Sequence, residues 1–331
     1  MHKFQIEHSV EPICYEQEHV DKVLEIIKVG FSKYFDDFLA YEGVVGLTTT
    51  ENAVQELANS WGIESKTRKK GINKAQSYKN ILKKIIDDFE NDRKKYIDIF
   101  DKETLEEFRD DPSTFKSRTL RNECPIIRTT LNNRRAKALD DFRRNFNSAD
   151  ANVLLSVVTN LFNFAEDYTK NIYDPNRYDS IAKYADLFFS KLDKEADYFV
   201  YGVIGGGVKS RMLYKFNPSA FPNRSPGATW ALWYLTDKKI IDCEYDSEFL
   251  MIDTKMSITE QNYFYPYELF AFYAHQIFQL LKAEAEKLEV YIDLEYRYVV
   301  VDSFLSFIAD SNASEIKTFS SQISESSHGY M

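Results

Sequence analysis

Hydrophobic residues recur along most of this chain at the spacing of amphipathic helices. Between residues 17 and 41 they fall three and four positions apart, which places them on one helical face. The same periodicity predicts further helices at about 74–108, 128–146, 150–173, 177–196, 226–236 and 266–288. Residues 290–309 fit a helix or a mixture of strand and helix, and another helix is expected to begin near Glu51. The pattern therefore predicts a mainly α, multi-helical fold.

One segment of the C-terminal half departs from helical spacing. The stretch from Lys239 to Lys255, KIIDCEYDSEFLMIDTK, is typical of a small β-hairpin with its turn near Asp246 and Ser247. Proline-containing turns cluster shortly before it, and we expect the organisation to change near residues 175–196. The predicted parts are a helical N-terminal region with basic segments (1–175), a C-terminal region with a glycine-rich loop and the hairpin (176–310), and a disordered Ser-rich tail (311–331).

The composition agrees with a helical fold and argues against several other classes of protein. With 11 Gly and 8 Pro in 331 residues, the chain has too few turn residues for an all-β sandwich. The N-terminus is too polar for a signal peptide and no run of 18 apolar residues occurs, so we expect a cytoplasmic protein without a membrane partner. Cys14, Cys124 and Cys243 lie far apart, and the five His show no HExxH spacing, so the pattern predicts neither a disulfide framework nor a zinc site.

Charge is distributed unevenly along the chain. The formal net charge is −10, yet residues 66–84 contain eight basic residues and no acidic one, and residues 116–144 contain nine basic residues against three acidic ones. Such segregation creates a positive face on an acidic body. That face suits the phosphates of DNA, and it equally suits an acidic protein partner, a second copy of this chain, or acidic neighbours within the fold.

Three consecutive glycines interrupt an apolar stretch in FVYGVIGGGVKSRMLYKFNPSAFPNRS, residues 199–225. Gly205–Gly207 precede a predicted helix, and the backbone N–H groups at a helix N-terminus attract anions. Lys209, Ser210 and Arg211 would lie on its first turn beside a bound phosphate. The alternative is a tight turn between packed helices, where glycine is needed only for close approach.

The same stretch resembles the hairpin of helix-hairpin-helix DNA-binding proteins, including the DNA-glycosylase-like group. In that family a G-x-G loop between two helices holds a DNA phosphate through backbone amides. The resemblance covers about 40 residues, and it implies DNA binding through Gly205–Gly207. It does not extend to glycosylase chemistry, because the Lys and the downstream Asp pair of those enzymes have no clear counterpart here.

Residues 56–71, ELANSWGIESKTRKKG, resemble a helix-turn-helix motif. The matching positions are Leu57-Ala58, Gly62-Ile63 and Thr67. The resemblance implies that a short recognition helix presents Ser65, Lys66, Arg68 and Lys69 to the major groove. The sequence departs from the pattern where Arg68 replaces an apolar anchor and where Gly71 would end the helix early. The alternative is an ordinary helical corner with a basic, exposed flank.

The end of the predicted hairpin resembles the site of PD-(D/E)xK nucleases. Asp253 and Lys255 form a D-x-K sequence, and Asp242 lies upstream with Glu244 as a spare acid. The resemblance implies that Asp242 and Asp253 hold Mg²⁺ and that Lys255 steadies the attacking water or the charge of the transition state. The alternative is a hairpin with polar edges.

The leading expectation is an intracellular DNA-associated protein, in defence or mobile-element biology. The expected nucleic-acid contacts are Gly205, Gly206, Gly207, Lys209, Ser210, Arg211, Lys66, Arg68, Lys69, Lys70, Arg134 and Arg135. One alternative is a Mg²⁺-dependent nuclease that acts through Asp242, Asp253 and Lys255. A second alternative is a non-enzymatic helical module that binds a protein partner or its own second copy. The residues leave open whether the chain is an enzyme.

Overall fold

The computed structural model of this protein describes residues 10–45, 73–133, 139–244, 248–253 and 258–326. Within these residues the α-helices of five residues or more are α1 (Gln17–Val45), α2 (Lys74–Phe100), α3 (Lys102–Glu107), α4 (Pro125–Asn132), α5 (Asp140–Ser148), α6 (Ala151–Asn171), α7 (Ser190–Lys194), α8 (Gly206–Phe216), α9 (Pro226–Leu235), α10 (Tyr267–Lys287), α11 (Arg297–Ser311) and α12 (Ala313–Ser326). Two strands, β1 (Leu250–Asp253) and β2 (Ile258–Gln261), complete the regular elements. The mainly α fold with one small β-hairpin in the C-terminal half is confirmed.

Local sequence explains where most of these helices begin and end. The helix predicted at 74–108 is divided at Asp101, whose carboxylate accepts the backbone N–H groups of Glu103 and Thr104 and starts α3. Ser225 starts α9 in the same way by accepting the N–H of Ala228, with Pro226 at the first helical position. Between α2 and α4 the chain makes a π-helical segment at Phe115–Glu123.

The continuous helix predicted at 177–196 is wrong. This segment contains the 3₁₀ turn Tyr184–Leu187 and the short helix α7, and residue Phe188 between them has a left-handed φ of 56°. A residue in that conformation ends a right-handed helix. The apolar spacing of the segment is real, because Leu187, Phe189 and Leu192 are all buried, but short turns deliver those side chains to the core.

The hairpin lies one strand later than the sequence predicts. Leu250 pairs with Gln261 and Asp253 with Ile258 in an antiparallel register, so the expected second strand is in fact the first. Residues 239–242 form no strand, and the left-handed φ of 54° at Asp242 interrupts an extended conformation there. Ile240 is 47% exposed instead of facing the core. The predicted turn at Asp246 and Ser247 lies outside the described residues.

The Ser-rich end of the chain is helical as far as Ser326, where the sequence predicts disorder. α12 is held by Phe319, whose ring stacks on Trp230 at 5.8 Å and meets Trp233 edge-on at 5.7 Å. Glu315 adds an ion pair with Lys238 at 2.6 Å. Two aromatic contacts and one ion pair order a segment whose composition is polar.

A single hydrophobic core joins the N-terminal and C-terminal halves of the chain. α1 packs against α2, α9 and α10, and α11 packs against α9, α10 and α2. At the centre of this core the fully buried guanidinium of Arg297 donates to Asp179 at 2.8 Å and lies 4.5 Å from the ring centroid of Tyr178. No helix in the described ranges is long and apolar enough to cross a membrane.

Candidate functional site

The triple glycine forms the start of α8. Val200 and Ile204 form an isolated antiparallel bridge, and Gly205 follows in extended conformation as the N-cap of the helix. The prediction of a helix directly after the glycines is confirmed. The elements before the loop are α7 and a 3₁₀ turn at Ala196–Tyr198.

The two ends of α8 differ in how their backbone groups are satisfied. At the C-terminus, Arg93 donates its Nε to the carbonyl of Lys215 at 3.0 Å and its Nη2 to the carbonyl of Phe216 at 3.1 Å. At the N-terminus no side chain of the described residues caps the helix, and Gly205 is exposed. The first N–H groups of α8 therefore carry the partial positive charge of the helix dipole at the surface.

A buried guanidinium lies against this uncapped helix end. The side chain of Arg224 is so close to Gly206 that a Cβ at that position would lie 1.6 Å from Nη2. Its Nη2 donates to the carbonyl of Tyr263 at 2.9 Å, whereas its Nε is buried without a hydrogen-bond partner. Gly206 is thus required for close approach, and the sequence motif did not include Arg224. Its position, 18 residues after Gly206, gave no local signal.

Lys209 faces the interior of the fold. Its ammonium donates to the carbonyl of Leu192 and lies 3.9 Å from a carboxylate oxygen of Asp193. The pKa of Lys209 is lowered to about 8, mainly by burial, with Asp193 opposing the shift and Arg224 adding to it. Asp193 is the carboxylate whose charge acts on both buried cations, so two positive charges face one negative charge near the start of α8.

Ser210 and Arg211 serve contacts within the fold. Ser210 is fully buried, and its Oγ accepts the backbone N–H of Arg224 at 3.1 Å. Arg211 pairs with Asp92 of α2 at 2.9 Å and lies 4.0 Å from Asp302 of α11. Ser210 thereby positions the Arg224 backbone, and Arg211 joins α8 to two other helices.

One basic segment adjoins the glycine loop. The side chain of Asn145 in α5 lies so close to Gly202 that a Cβ there would lie 2.0 Å from its Nδ2. Arg144 of α5 is 76% exposed and pairs with Asp141 one turn earlier, and Arg143 pairs with Asp140 at 2.6 Å.

The other described cations of this segment are held in local contacts. Lys116 donates to the carbonyls of Asn147 and Ala149, and Arg121 donates to the Asn147 side chain at 2.6 Å. Exposed pairs at this spacing are weak, so Arg144 remains available to an external anion.

The second basic segment is described only in part. Lys74 pairs with Asp36 of α1 at 2.6 Å, and α2 meets α8 further along, where Asp92 contacts Arg211. The helix-turn-helix resemblance lies outside the described residues. The predicted contacts outside them are Lys66, Arg68, Lys69, Lys70, Arg134 and Arg135.

The predicted nuclease residues are only partly described. Asp242 lies in the loop between α9 and β1, where its carboxylate pairs with Lys22 of α1 at 2.9 Å. This pair lowers the pKa of Asp242. Asp253 is the last residue of β1, and Lys255 lies outside the described residues. The Mg²⁺ assignment to Asp242 and Asp253 stays a prediction.

The structure also brings together residues that the sequence spacing did not connect. Cys14, His19 and Cys243 place one ring nitrogen and two sulfurs within 4.8 Å of one another. Cys14 and Cys243 are 229 positions apart, so no short motif could have linked them.

Comparison with protein-family models, with curated proteins and with solved structures finds no match to this chain. The interpretation of the site therefore depends on its own geometry.

Proposed function

We propose that this protein binds the phosphate backbone of DNA at the N-terminus of α8. The observation that carries the proposal is the uncapped first turn at Gly205–Gly207, with Gly205 exposed, Gly206 and Gly207 half-buried, and the buried guanidinium of Arg224 against Gly206. Backbone N–H groups at a helix start bind phosphate when glycines let the ligand approach. The helix-hairpin-helix resemblance of the loop implies the same mode of contact, through backbone amides.

Lys209 and Arg224 contribute to this site mainly through their charge. Both side chains are about 96% buried, with relative exposures of 4% each. In a buried setting a positive charge acts on a nearby phosphate with little screening by salt. We therefore assign the direct contacts to the amides of Gly205, Gly206 and Gly207, and we assign to Ser210 and Arg211 the positioning of α8.

α5 extends the proposed surface. Asn145 touches Gly202, and the adjacent Arg144 in the same helix is exposed, so we assign to Arg144 an additional phosphate contact. Phosphate contacts from Lys and Arg supply most of the salt-dependent affinity of DNA-binding proteins. Binding of nucleic acid in the cytoplasm, in a defence or mobile-element setting, is part of this proposal.

Fluorescence anisotropy tests the proposal directly. The full chain is titrated into labelled duplex DNA, single-stranded DNA and RNA of equal length, at two salt concentrations. If about four phosphates are neutralised, log K for the duplex falls with log salt at a slope near −3.6. Absence of binding, or an affinity that does not change with salt, contradicts the proposal. Equal affinity for RNA would retain the phosphate contact but contradict the assignment to DNA.

Two substitutions at Gly205 measure how much the helix terminus contributes to DNA affinity, apart from the rest of the surface. Gly205→Asp places a carboxylate where it accepts the helix N–H groups and repels phosphate. We therefore expect the affinity for DNA to fall at least 10-fold, which corresponds to a loss of about 1.4 kcal/mol or more of binding free energy. Gly205→Ala adds a methyl group that meets nothing within 4 Å, so its affinity should stay close to that of the wild type. The Asp variant caps α8, so its thermal stability should not decrease. Equal binding by the two variants would contradict a contact at this terminus.

A nuclease is tested by adding Mg²⁺ to the same assay and examining the DNA for cleavage. Cleavage abolished by Asp253→Ala would support that alternative, and intact DNA at every Mg²⁺ concentration would exclude it.

A further inference from the structure

A second site lies away from α8, at the start of α1. Cys14 is on the 3₁₀ turn Pro12–Tyr15, His19 is in the first turn of α1, and Cys243 is in the loop that precedes β1. Cys14 and His19 are buried, whereas Cys243 is partly exposed. Two thiols and an imidazole in one cluster are the donor set that proteins use for zinc.

The spacing of the sulfurs matches metal coordination. The two Sγ atoms are 3.8 Å apart. Two thiolates bound tetrahedrally at about 2.3 Å from one zinc ion also lie about 3.8 Å apart. A ring nitrogen of His19 lies within 4.8 Å of both sulfurs. A small movement of the imidazole towards the two sulfurs would therefore bring all three atoms within bonding distance of one ion.

The orientation of His19 leaves one nitrogen for a ligand. Its Nε2 lies 2.9 Å from a carboxylate oxygen of Glu248, and its Nδ1 is buried without a hydrogen-bond partner. A carboxylate fixes the proton on Nε2 and leaves the lone pair on Nδ1, as in the carboxylate–histidine–metal arrangement. Glu248 is itself fixed, because Tyr265 donates to its other oxygen at 2.9 Å.

We propose that Cys14, Cys243 and Nδ1 of His19 bind one zinc ion, with Glu248 as the positioning residue for His19. Water occupies the fourth position, since Cys243 is partly exposed to solvent. Binding releases one proton from each thiol to solvent, so that two thiolates balance the two charges of the ion. The metal joins the N-terminal turn to the loop before the hairpin, across 229 positions of sequence.

Metal analysis of the full chain tests this site. Protein expressed with added zinc and purified without chelators should contain one zinc per chain by mass spectrometry. Replacement of zinc by Co²⁺ should give the near-ultraviolet absorption of thiolate–cobalt charge transfer. Cys243→Ser should lose the metal, whereas Cys124→Ser should retain it, because Cys124 is buried elsewhere and is not part of the cluster.

Two further measurements test the site even if a cysteine variant fails to fold: one uses a milder substitution and the other uses the wild-type protein. Glu248→Gln should bind zinc 10- to 100-fold more weakly in competition with a chromogenic chelator, because His19 loses its orienting carboxylate. Removal of zinc from the wild type should make the partly exposed Cys243 reactive to alkylation, and restored zinc should protect it. Wild-type protein that contains no zinc and takes up no Co²⁺ would overturn the proposal. A Cys14–Cys243 disulfide in metal-free protein prepared without oxidant would overturn it as well.

Discussion

His275 is a buried titratable side chain outside both proposed sites. It lies within α10, fully buried, with its ring edge-on to Tyr178 at a centroid distance of 5.1 Å. Neither ring nitrogen has a hydrogen-bond partner, and Arg297 is close enough to disfavour a second positive charge. Burial is the main cause that lowers the pKa of His275, to about 4. The side chain is therefore neutral in the native protein at neutral pH.

The shifted pKa of His275 predicts acid sensitivity. Between pH 6.5 and 4 the unfolded chain binds a proton that the native state does not, so the free energy of unfolding falls as the pH falls. From pH 7.5 to pH 5 this residue should account for a loss of about 2 kcal/mol. Urea unfolding at both pH values measures it. In His275→Leu this part of the pH dependence should be absent, and an unchanged pH dependence in the variant would contradict the assignment.

Residue-level properties of this kind were only partly visible in the sequence. Apolar neighbours one turn away indicate a packed, hydrogen-bonded His275; the side chain is indeed buried, but the predicted hydrogen bond is absent. Its two unpartnered nitrogens depend on which side chains of other segments surround it, and a single sequence does not contain that information. The same applies to Arg224 and Gly206.

At the scale of elements, α1 and α9 are in unusually close contact. A Cβ at Gly30 would lie 2.0 Å from the backbone carbonyl oxygen of Leu235, at the end of α9. The added methyl group would therefore meet backbone, which cannot rotate away as a flexible side chain can. Phe31, the next residue, packs on Phe304 of α11 at a centroid distance of 5.2 Å, so a shift of α1 at Gly30 would also disturb its contact with a third helix.

Gly30→Ala should destabilise the protein, although alanine favours a helix over glycine by about 1 kcal/mol. The clash must separate α1 from α9, and overpacking of this kind costs about 1–3 kcal/mol. Thermal unfolding measures the effect. Gly207→Ala is the matched control, because it is also helical but meets nothing within 4 Å, and it should be neutral or slightly stabilising. Two variants of equal stability would show that the helices adjust without strain.

Elements with strong local signals were predicted well, and those set by distant contacts were not. α6 and α10 follow from periodicity and from caps or prolines at their starts. The hairpin was placed one strand too early, because apolar residues alternate on both sides of Asp242 while the left-handed φ of that residue is not visible in the pattern. α12 depends on Phe319 meeting Trp230, a contact between residues almost 90 positions apart.

At the scale of the whole molecule, a partly buried charge network joins α2, α8 and α11. Asp92 accepts from Arg211 and from Lys215, each at 2.9 Å, and Arg211 also approaches Asp302. Lys215 is 2% exposed and lies 4.1 Å from the ring centroid of Phe89. Burial is the main cause that lowers its pKa, to about 8. Asp92 is the main counter-ion of the Lys215 ammonium.

Asp92→Asn should lower the free energy of unfolding by about 3 kcal/mol, because it leaves the buried ammonium of Lys215 without its counter-ion. Urea unfolding at pH 7 measures the loss. Asp36→Asn is the matched control, since its pair with Lys74 has side-chain exposures of 66% and 51%, and it should change stability by about 0.5 kcal/mol or less. A small effect at Asp92 would mean that Asp302 replaces it as the counter-ion.

The partners of α1 also determine when this helix can finish folding during synthesis. α1 leaves the ribosome before α9, α10 and α11, three helices that pack against its apolar side. These three helices lie much later in the chain, at residues 226–311. α2 can shield part of that side earlier. Until translation passes the last of these segments, Phe31 and its apolar neighbours lack part of their packing partners, so this surface is prone to aggregation during synthesis.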